Sequence, residues 1–274
     1  MTIELTTDDY WEVDGVPLNT YAYNISSLAG RFSTPPLRGD DQAQAFRPGR
    51  AFRPKVADSR TVPLAMWVQG SDPSQVNAPS SPQFLSNLRM LLKLFYTPGR
   101  QFELTRRWTD LEGQHVVKAK GQVLGAIDPS FQGSMHSAMV IDVFLADPFY
   151  YGVGVGAEVA SSTDPVHTFF SLDVPGDEFS PEKFRVTFHG PSTTPVLKNL
   201  TTGTQLTFNA TLAEDDAELN IGANRAVMAG KLYNSSVQST GPLWWMDLAL
   251  GVNQFEFTAA SGGGLTILYQ PAYI

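Results

Sequence analysis

The stretch RTVPLAMWVQG, residues 60–70, decides the fold class of this chain. Aliphatic and thioether side chains recur at every second position and share one face of an extended chain: Val62, Leu64, Met66 and Val68. The other face carries Thr61, Ala65 and Trp67. Alternation with a period of two predicts a β-strand with one strongly buried face. Pro63 cannot donate a ladder hydrogen bond, so we expect part of this strand to lie at a sheet edge or near the strand's start.

A single amphipathic helix is predicted shortly after this strand. Ser81 is the expected N-cap and Pro82 lies in the first turn, while Pro98-Gly99 ends the segment. Apolar side chains recur at helical spacing: Phe84, Leu85, Leu88, Leu91, Leu92 and Phe95. The opposite, solvent-facing side is expected to carry Asn87, Arg89 and Lys93. One helix among strands predicts that it covers an open side of a sheet.

The flanking sequence supplies further strands for this sheet. Residues 10–13 and 20–25 are predicted as a hairpin, because Asp14-Gly15 favours the positive φ angles of a tight turn. Other strands are predicted at 102–108, 115–124 and 139–145, the last of them central. Proline and glycine then interrupt the pattern after residue 146, and a flexible interdomain connection is expected at Gly152–Gly156. The predicted domains are residues 1–148 and 149–274.

The second half of the chain carries no helical stripe. Short strand candidates separated by turn residues follow one another from residue 168 to residue 269, with Trp245–Leu248 among them. Many short strands at this spacing predict an antiparallel sandwich or jelly roll. The expected fold class is therefore all-β with one covering helix.

Composition and motifs favour a protein without catalytic function. Cysteine is absent, which excludes disulfides, thiolate metal sites and cysteine nucleophiles. The four histidines lack metal-ligand spacing, and no Gly-x-Ser-x-Gly elbow or dinucleotide loop occurs. Residues 149–274 carry 12 acidic against 5 basic side chains, so that half would repel nucleic acid. No apolar run is long enough to insert into a membrane. We expect no catalytic residue, cofactor or metal.

The segment 31–54 is rich in proline, glycine and arginine and is predicted to be a long loop. Loops of this length in compact domains are usually functional or ordered by a partner. Guanidinium and carboxylate groups here and just beyond are candidate intersubunit contacts: Arg38, Asp40, Asp41, Arg47, Arg50, Arg53 and Arg60. A solvated loop is the alternative interpretation.

Trp244-Trp245 is the most conspicuous aromatic pair. Neighbours in a strand point to opposite faces, so one indole would be buried and the other exposed. The pair either packs at the core and its rim or forms a platform for stacking sugars, and Trp244 and Trp245 are the candidate sugar-binding residues.

Several motifs, taken in order, resemble the distal tail protein (Dit) family of long-tailed (siphovirus) bacteriophages, in the minor tail protein type of actinobacteriophages. In the first half these are Asp14-Gly15-Val16-Pro17-Leu18, Pro36-Leu37-Arg38-Gly39-Asp40, residues 60–66, the single helix, and Ala146-Asp147-Pro148-Phe149-Tyr150. In the second half they are His189-Gly190-Pro191, residues 195–199, and Leu250-Gly251-Val252-Asn253-Gln254-Phe255.

The resemblance implies an N-terminal belt domain (1–148) and a C-terminal galectin-like jelly roll (149–274). It implies a structural, non-enzymatic protein of the virion, made in the host cytoplasm, that forms a hexameric ring at the phage tail tip. The implied partners are further copies of the chain, the tail tube protein, the tape measure protein, the tail hub protein and receptor-binding proteins. A carbohydrate-binding module attached to an assembly domain, with host cell-surface glycan as partner, is the alternative. A hydrolase of the host envelope would need a motif that the sequence lacks.

Overall fold

The computed structural model describes residues 9–25, 34–39, 42–43, 50–51, 55–111, 113–160, 166–241, 244–260 and 262–274. The chain divides into two compact units, residues 1–150 together with Ile274, and Tyr151–Tyr273. Strands form both units and the described part of the chain has a single α-helix, so the predicted all-β fold class is confirmed.

An antiparallel sheet forms the framework of the first unit. Its path runs β2-β1-β9-β10-β12-β8-β3, with β11 beside β12. The strands of the chain up to the boundary between the units are β1 (Asp9–Val13), β2 (Val16–Pro17), β3 (Tyr23–Ile25), β4 (Leu37–Arg38), β5 (Gln42–Ala43), β6 (Arg50–Ala51), β7 (Val56–Ala57), β8 (Arg60–Gln69), β9 (Phe102–Asp110), β10 (Gly113–Val123), β11 (Ser130–Phe131), β12 (His136–Leu145) and, at the boundary, β13 (Tyr150–Tyr151). Strands β4 to β7 are not part of this sheet and form two separate two-stranded ladders.

Strand β8 has the alternating burial that its sequence predicts. Leu64 and Met66 are buried and lie opposite Ile141 and Met139 of β12, which itself lies between β8 and β10. The neighbour on the other side, β3, pairs only with residues 66–68. Within the described chain, Pro63 lies outside the residues of β8 that pair with β3, so a residue without an amide hydrogen is compatible with this position.

The predicted hairpin at Asp14-Gly15 is present, but its return strand is β2 and not the predicted residues 20–25. Asp14 and Gly15 have φ of 48° and 77°, and β2 pairs with β1 directly after this turn. Residues 23–25 instead pair with β8, on the opposite edge of the sheet. The alternation of apolar and polar residues predicts a strand, but it does not specify which strand pairs with it.

The helix α1 (Ser81–Phe95) covers one face of this sheet. The Phe95 ring meets Phe102 of β9 edge-on, with 5.6 Å between centroids. Two expectations were wrong: Leu85 is exposed, and Asn87 is buried, where its Nδ2 donates to the carbonyl oxygens of Gln69 and Ser71 at 2.8 and 2.7 Å. A polar residue can thus lie on the packed face when it satisfies backbone acceptors at the end of a strand.

The helix is capped by Ser80, not by Ser81 as predicted. The hydroxyl of Ser80 accepts a hydrogen bond from the Gln83 amide at 3.4 Å. We expect Ser80→Ala to lower the free energy of unfolding by about 1 kcal/mol, because an amide of the first turn loses its acceptor. Ser81→Ala, one residue inside the helix, should be nearly neutral. Urea unfolding of both variants checks this; a larger loss for Ser81→Ala would restore the original assignment.

Two antiparallel sheets form the second unit. Their paths are β14-β25-β16-β20-β21-β22 and β15-β24-β17-β18-β23, with β19 beside β17. The strands of these two sheets are β14 (Val155–Ala160), β15 (Val166–Val174), β16 (Phe184–His189), β17 (Ser192–Asn199), β18 (Gln205–Phe208), β19 (Thr211–Leu212), β20 (Ala217–Asn220), β21 (Arg225–Met228), β22 (Lys231–Leu232), β23 (Val237–Ser239), β24 (Gly251–Ala260) and β25 (Gly264–Tyr269). The last strand, β26 (Ala272–Tyr273), pairs with β13.

The two sheets pack face to face as a sandwich. Phe188 of one sheet stacks on Phe208 and Phe257 of the other, at 6.5 and 6.2 Å between centroids. Successive strands alternate between the sheets at β14–β15, β16–β17 and β24–β25, which is the winding of a jelly roll. The core therefore lies between the inner faces of the two sheets.

Two expectations for this unit were wrong. The segment Gly152–Gly156 is not simply a flexible connection, because β14 begins at Val155 and pairs with β25. A Cβ on Gly156 would lie 2.6 Å from the carbonyl oxygen of Ile267, so this glycine allows close approach of two strands. Residues 245–248 form no strand.

Candidate functional site

The arginine-rich segment contains a hairpin, where a long loop was predicted. Strand β4 pairs with β7 and strand β5 pairs with β6. Both ladders are antiparallel, β5 and β6 lie between β4 and β7 in the chain, and the registers of the two ladders differ by one residue. Arg38 is exposed and its Nη1 lies 3.8 Å from Asp58 Oδ1. Arg50 lies in β6. The remaining candidates on this segment, Asp40, Asp41, Arg47 and Arg53, lie outside the described residues.

Arg60 belongs to the interior of the first unit. Only 5% of it is exposed, and its guanidinium lies 5.0 Å from the centre of the Tyr150 ring. Burial lowers the pKa of Arg60, and the nearby charge of Arg106 lowers it further, against a raising effect from Tyr150. Within the described chain Arg60 is a packed strand residue, unlike the exposed Arg38.

A groove on the first unit runs between α1 and residues 122–127, with a volume of about 770 Å³. Tyr96 and Leu124 line it and are 77% and 66% exposed. The described lining has two cations, Arg89 and Lys93, and no carboxylate. Large apolar side chains left open in this way are typical of contact surfaces.

Trp244 and Trp245 are both partly buried against the sandwich core. They lie in a bend, and the Trp245 carbonyl oxygen accepts a hydrogen bond from the Ser239 hydroxyl. The expected strand alternation of one buried and one exposed indole is therefore wrong, and the geometry favours the packing interpretation of the pair.

Three side chains form a carboxylate–imidazole–hydroxyl chain like that of a catalytic triad, which the sequence did not reveal. His189 Nδ1 lies 2.9 Å from Asp216 Oδ1, and His189 Nε2 lies 2.8 Å from Thr266 Oγ1. A hydroxyl nucleophile also needs donors for a developing oxyanion. Thr266 lies inside β25, which is paired on both sides by β14 and β16, so the surrounding amides already serve the ladder. This arrangement fits a structural network on a sheet face.

The described residues include no cluster of three or more His, Asp or Glu side chains placed to hold a metal. Likewise, no helix in the described part of the chain is long and apolar enough to cross a membrane.

A polar surface lies on the outer face of the sheet β15-β24-β17-β18-β23 in the second unit. Two adjacent rows of side chains cross it in register: His167, Thr258, Val196, Thr207 and Gln238 in one, and Phe169, Glu256, Lys198 and Gln205 in the other. We call these residues the row surface. The alternation in VHTFFSLDV, residues 166–174, predicts one buried face, but the partners across the sheet are set by pairing between distant strands.

No protein-family profile matches this sequence, and no curated protein matches it at a significant level. The crystal structure of Dit from phage SPP1, a paradigm of the hub adsorption apparatus in phages infecting Gram-positive bacteria, superimposes with a TM-score of 0.61 and 14% identity, covering 96% of this chain and 98% of that chain. Two chains from the phage P2 baseplate in its activated conformation, with Ca and with Sr, give TM-scores of 0.40 and 0.37 at 8% and 9% identity; each covers 95% of this chain, and 98% and 97% of its own. Those scores are too low to establish a common fold. The chain therefore has the fold of SPP1 Dit, and the resemblance to distal tail proteins is confirmed at the level of the fold.

Proposed function

We propose that this chain is a structural protein of the phage tail tip, forming a hexameric ring that joins the tail tube to the distal hub and receptor-binding proteins. The observation that carries the proposal is the likeness to SPP1 Dit, which spans both units and almost the full length of each chain. A shared fold does not specify a shared function, so the surfaces of the chain must also suit assembly.

Surface features of the first unit support assembly. The groove beside α1 leaves Tyr96 and Leu124 open, and Val140 on the other face of the sheet is 54% exposed. Charged side chains also line that other face, where Arg107 pairs with Glu12 and Lys118 with Glu103. A closed ring would cover such surfaces by repeating one head-to-tail contact, without open-ended growth.

The arginine-rich hairpin is the part of the first unit that we propose for contacts between neighbouring copies. This hairpin carries the exposed Arg38 on β4 and Arg50 on β6. We propose that these arginines contact carboxylates of the next copy, because a guanidinium group can form bidentate hydrogen bonds with a carboxylate. Asp40, Asp41, Arg47 and Arg53 belong to the same proposal. The tail tube, the tape measure and the hub would then meet the ring at its two ends.

The mass of the purified chain in solution tests this proposal. We expect native mass spectrometry and negative-stain electron microscopy to show closed rings of six copies of the 29.9 kDa chain. Ring closure is concentration-dependent, so the fraction of rings should rise across the micromolar range. A monomer at every concentration, with and without purified tail tubes, would contradict it.

A further inference from the structure

We propose that the row surface of the second unit binds a neutral oligosaccharide. It presents hydrogen-bonding side chains of several kinds beside one open aromatic ring, which is the combination that a ligand with many hydroxyl groups and apolar C–H faces requires. The inference concerns the second unit alone and does not depend on ring formation.

Phe169 supplies the aromatic part of the row surface. Its side chain is 61% exposed, and among the described residues of the second unit it is the only phenylalanine, tyrosine or tryptophan that is exposed. Its partner behind the strand, Phe170, stacks on Phe255 at 5.1 Å and anchors β15 to the core. The open ring is thus held on a rigid strand, where the C–H face of a pyranose can pack on it.

A hydrogen-bond network lies beside this ring. His167 Nε2 lies 3.2 Å from Glu256 Oε1, and His167 Nδ1 lies 3.3 Å from Thr258 Oγ1. The imidazole also meets the Phe169 ring edge-on at 5.0 Å. Glu256 is directly opposite Phe169 in the register, so its carboxylate is oriented beside the aromatic platform. A positioned carboxylate can accept hydrogen bonds from two neighbouring hydroxyls of one sugar.

The row surface continues into a groove of about 380 Å³ at its far side. Its lining consists entirely of amide and hydroxyl side chains: Gln205, Thr207, Gln238, Ser239 and Thr240. Lys198 lies between the aromatic end of the row surface and this groove, because it is opposite Glu256 on one side and opposite Gln205 on the other. Strands are about 4.8 Å apart, so the surface from β15 to β23 spans on the order of 19 Å, enough for several sugar units.

Charge selects a neutral ligand over an anionic one. Residues 149–274 carry 12 acidic and 5 basic side chains, and on the row surface itself the carboxylate of Glu256 lies opposite the single lysine, Lys198. A polyanionic glycan or a nucleic acid would be repelled by this unit. The uncharged groove lining points to hydroxyl and N-acetyl groups as what it recognises.

A glycan array probed with the full chain tests the inference, with neutral glucose, galactose and N-acetylglucosamine oligosaccharides beside anionic polygalacturonate. We expect retention on at least one neutral oligosaccharide and none on polygalacturonate. Isothermal titration with the best neutral glycan should then show about tenfold weaker binding for Phe169→Ser and for Glu256→Gln, or roughly 1.4 kcal/mol each.

Leu232→Ser is the matched control, because Leu232 is 66% exposed on the other sheet of the same unit. It should bind like the unmodified chain, and thermal unfolding should show that all three variants are folded. Retention on no neutral glycan, or equal binding by Phe169→Ser and the unmodified chain, overturns the inference. Retention on polygalacturonate alone would also overturn it. Ring formation, measured on the same samples, is expected to stay unchanged throughout, so failure here leaves the proposed function standing.

Discussion

Replacement of Arg106 by alanine is expected to lower the free energy of unfolding of the first unit by about 3 kcal/mol. Only 2% of Arg106 is exposed, and its guanidinium lies over the rings of Trp11 and Trp108, at 5.4 and 4.7 Å from their centres. Cation–π contacts contribute about 2 kcal/mol or more when both groups are shielded from water. Truncation also leaves a cavity in a packed interior, which adds to the loss.

Arg107→Ala is a control on the adjacent residue of the same strand. Arg107 lies on the other face of the sheet, where its side chain is 45% exposed and its Nη2 lies 3.1 Å from Glu12 Oε1. Exposed ion pairs contribute about 0–1 kcal/mol, so this variant should change stability little. Tryptophan fluorescence during urea unfolding measures both variants. Equal losses at the two positions would contradict the assignment of Arg106 to the core.

Replacement of Asn253 by alanine is expected to destabilise the second unit by about 3 kcal/mol. Asn253 is fully buried, and its Nδ2 donates to the carbonyl oxygens of Ala249 and Gly251 at 2.7 and 3.0 Å. Its Oδ1 accepts from the Ala249 amide at 2.9 Å and from Asn199 Nδ2 at 3.0 Å. Each buried group left without its partner costs about 1–3 kcal/mol, so several losses add up at one residue.

The consequence of this change should extend to a second loop. Asn199 is also fully buried, and its Oδ1 accepts from the amides of Thr201 and Thr202 at 3.0 and 3.3 Å. Loss of Asn253 therefore loosens residues 199–204 as well as 247–253, and hydrogen exchange should rise in both. Gln254→Ala, at the exposed neighbour, is the control and should leave both stability and exchange unchanged. Faster exchange confined to residues 247–253 would contradict the coupling.

The local spacing of apolar residues predicted secondary structure correctly wherever buried residues recur with one regular period. The alternation of residues 60–70 predicted β8, and the apolar stripe that includes Leu88 and Leu91 predicted α1, because both periods are properties of neighbouring residues. The same reasoning failed at Asn87, whose acceptors on Gln69 and Ser71 lie 18 and 16 residues away. It also failed at the arginine-rich segment, where composition typical of a loop contains a nested hairpin.

The sequence by itself determined the all-β class, the single covering helix and the presence of many short strands in the second half. Only the tertiary structure decided that Arg60 and Arg106 are interior residues, that Trp244 and Trp245 pack against a core, and that Phe169 lies in one row with Glu256 and Lys198. The physical reason is that strand periodicity specifies which face a side chain occupies. The register between strands far apart in the chain specifies its neighbours, and no local pattern encodes that register.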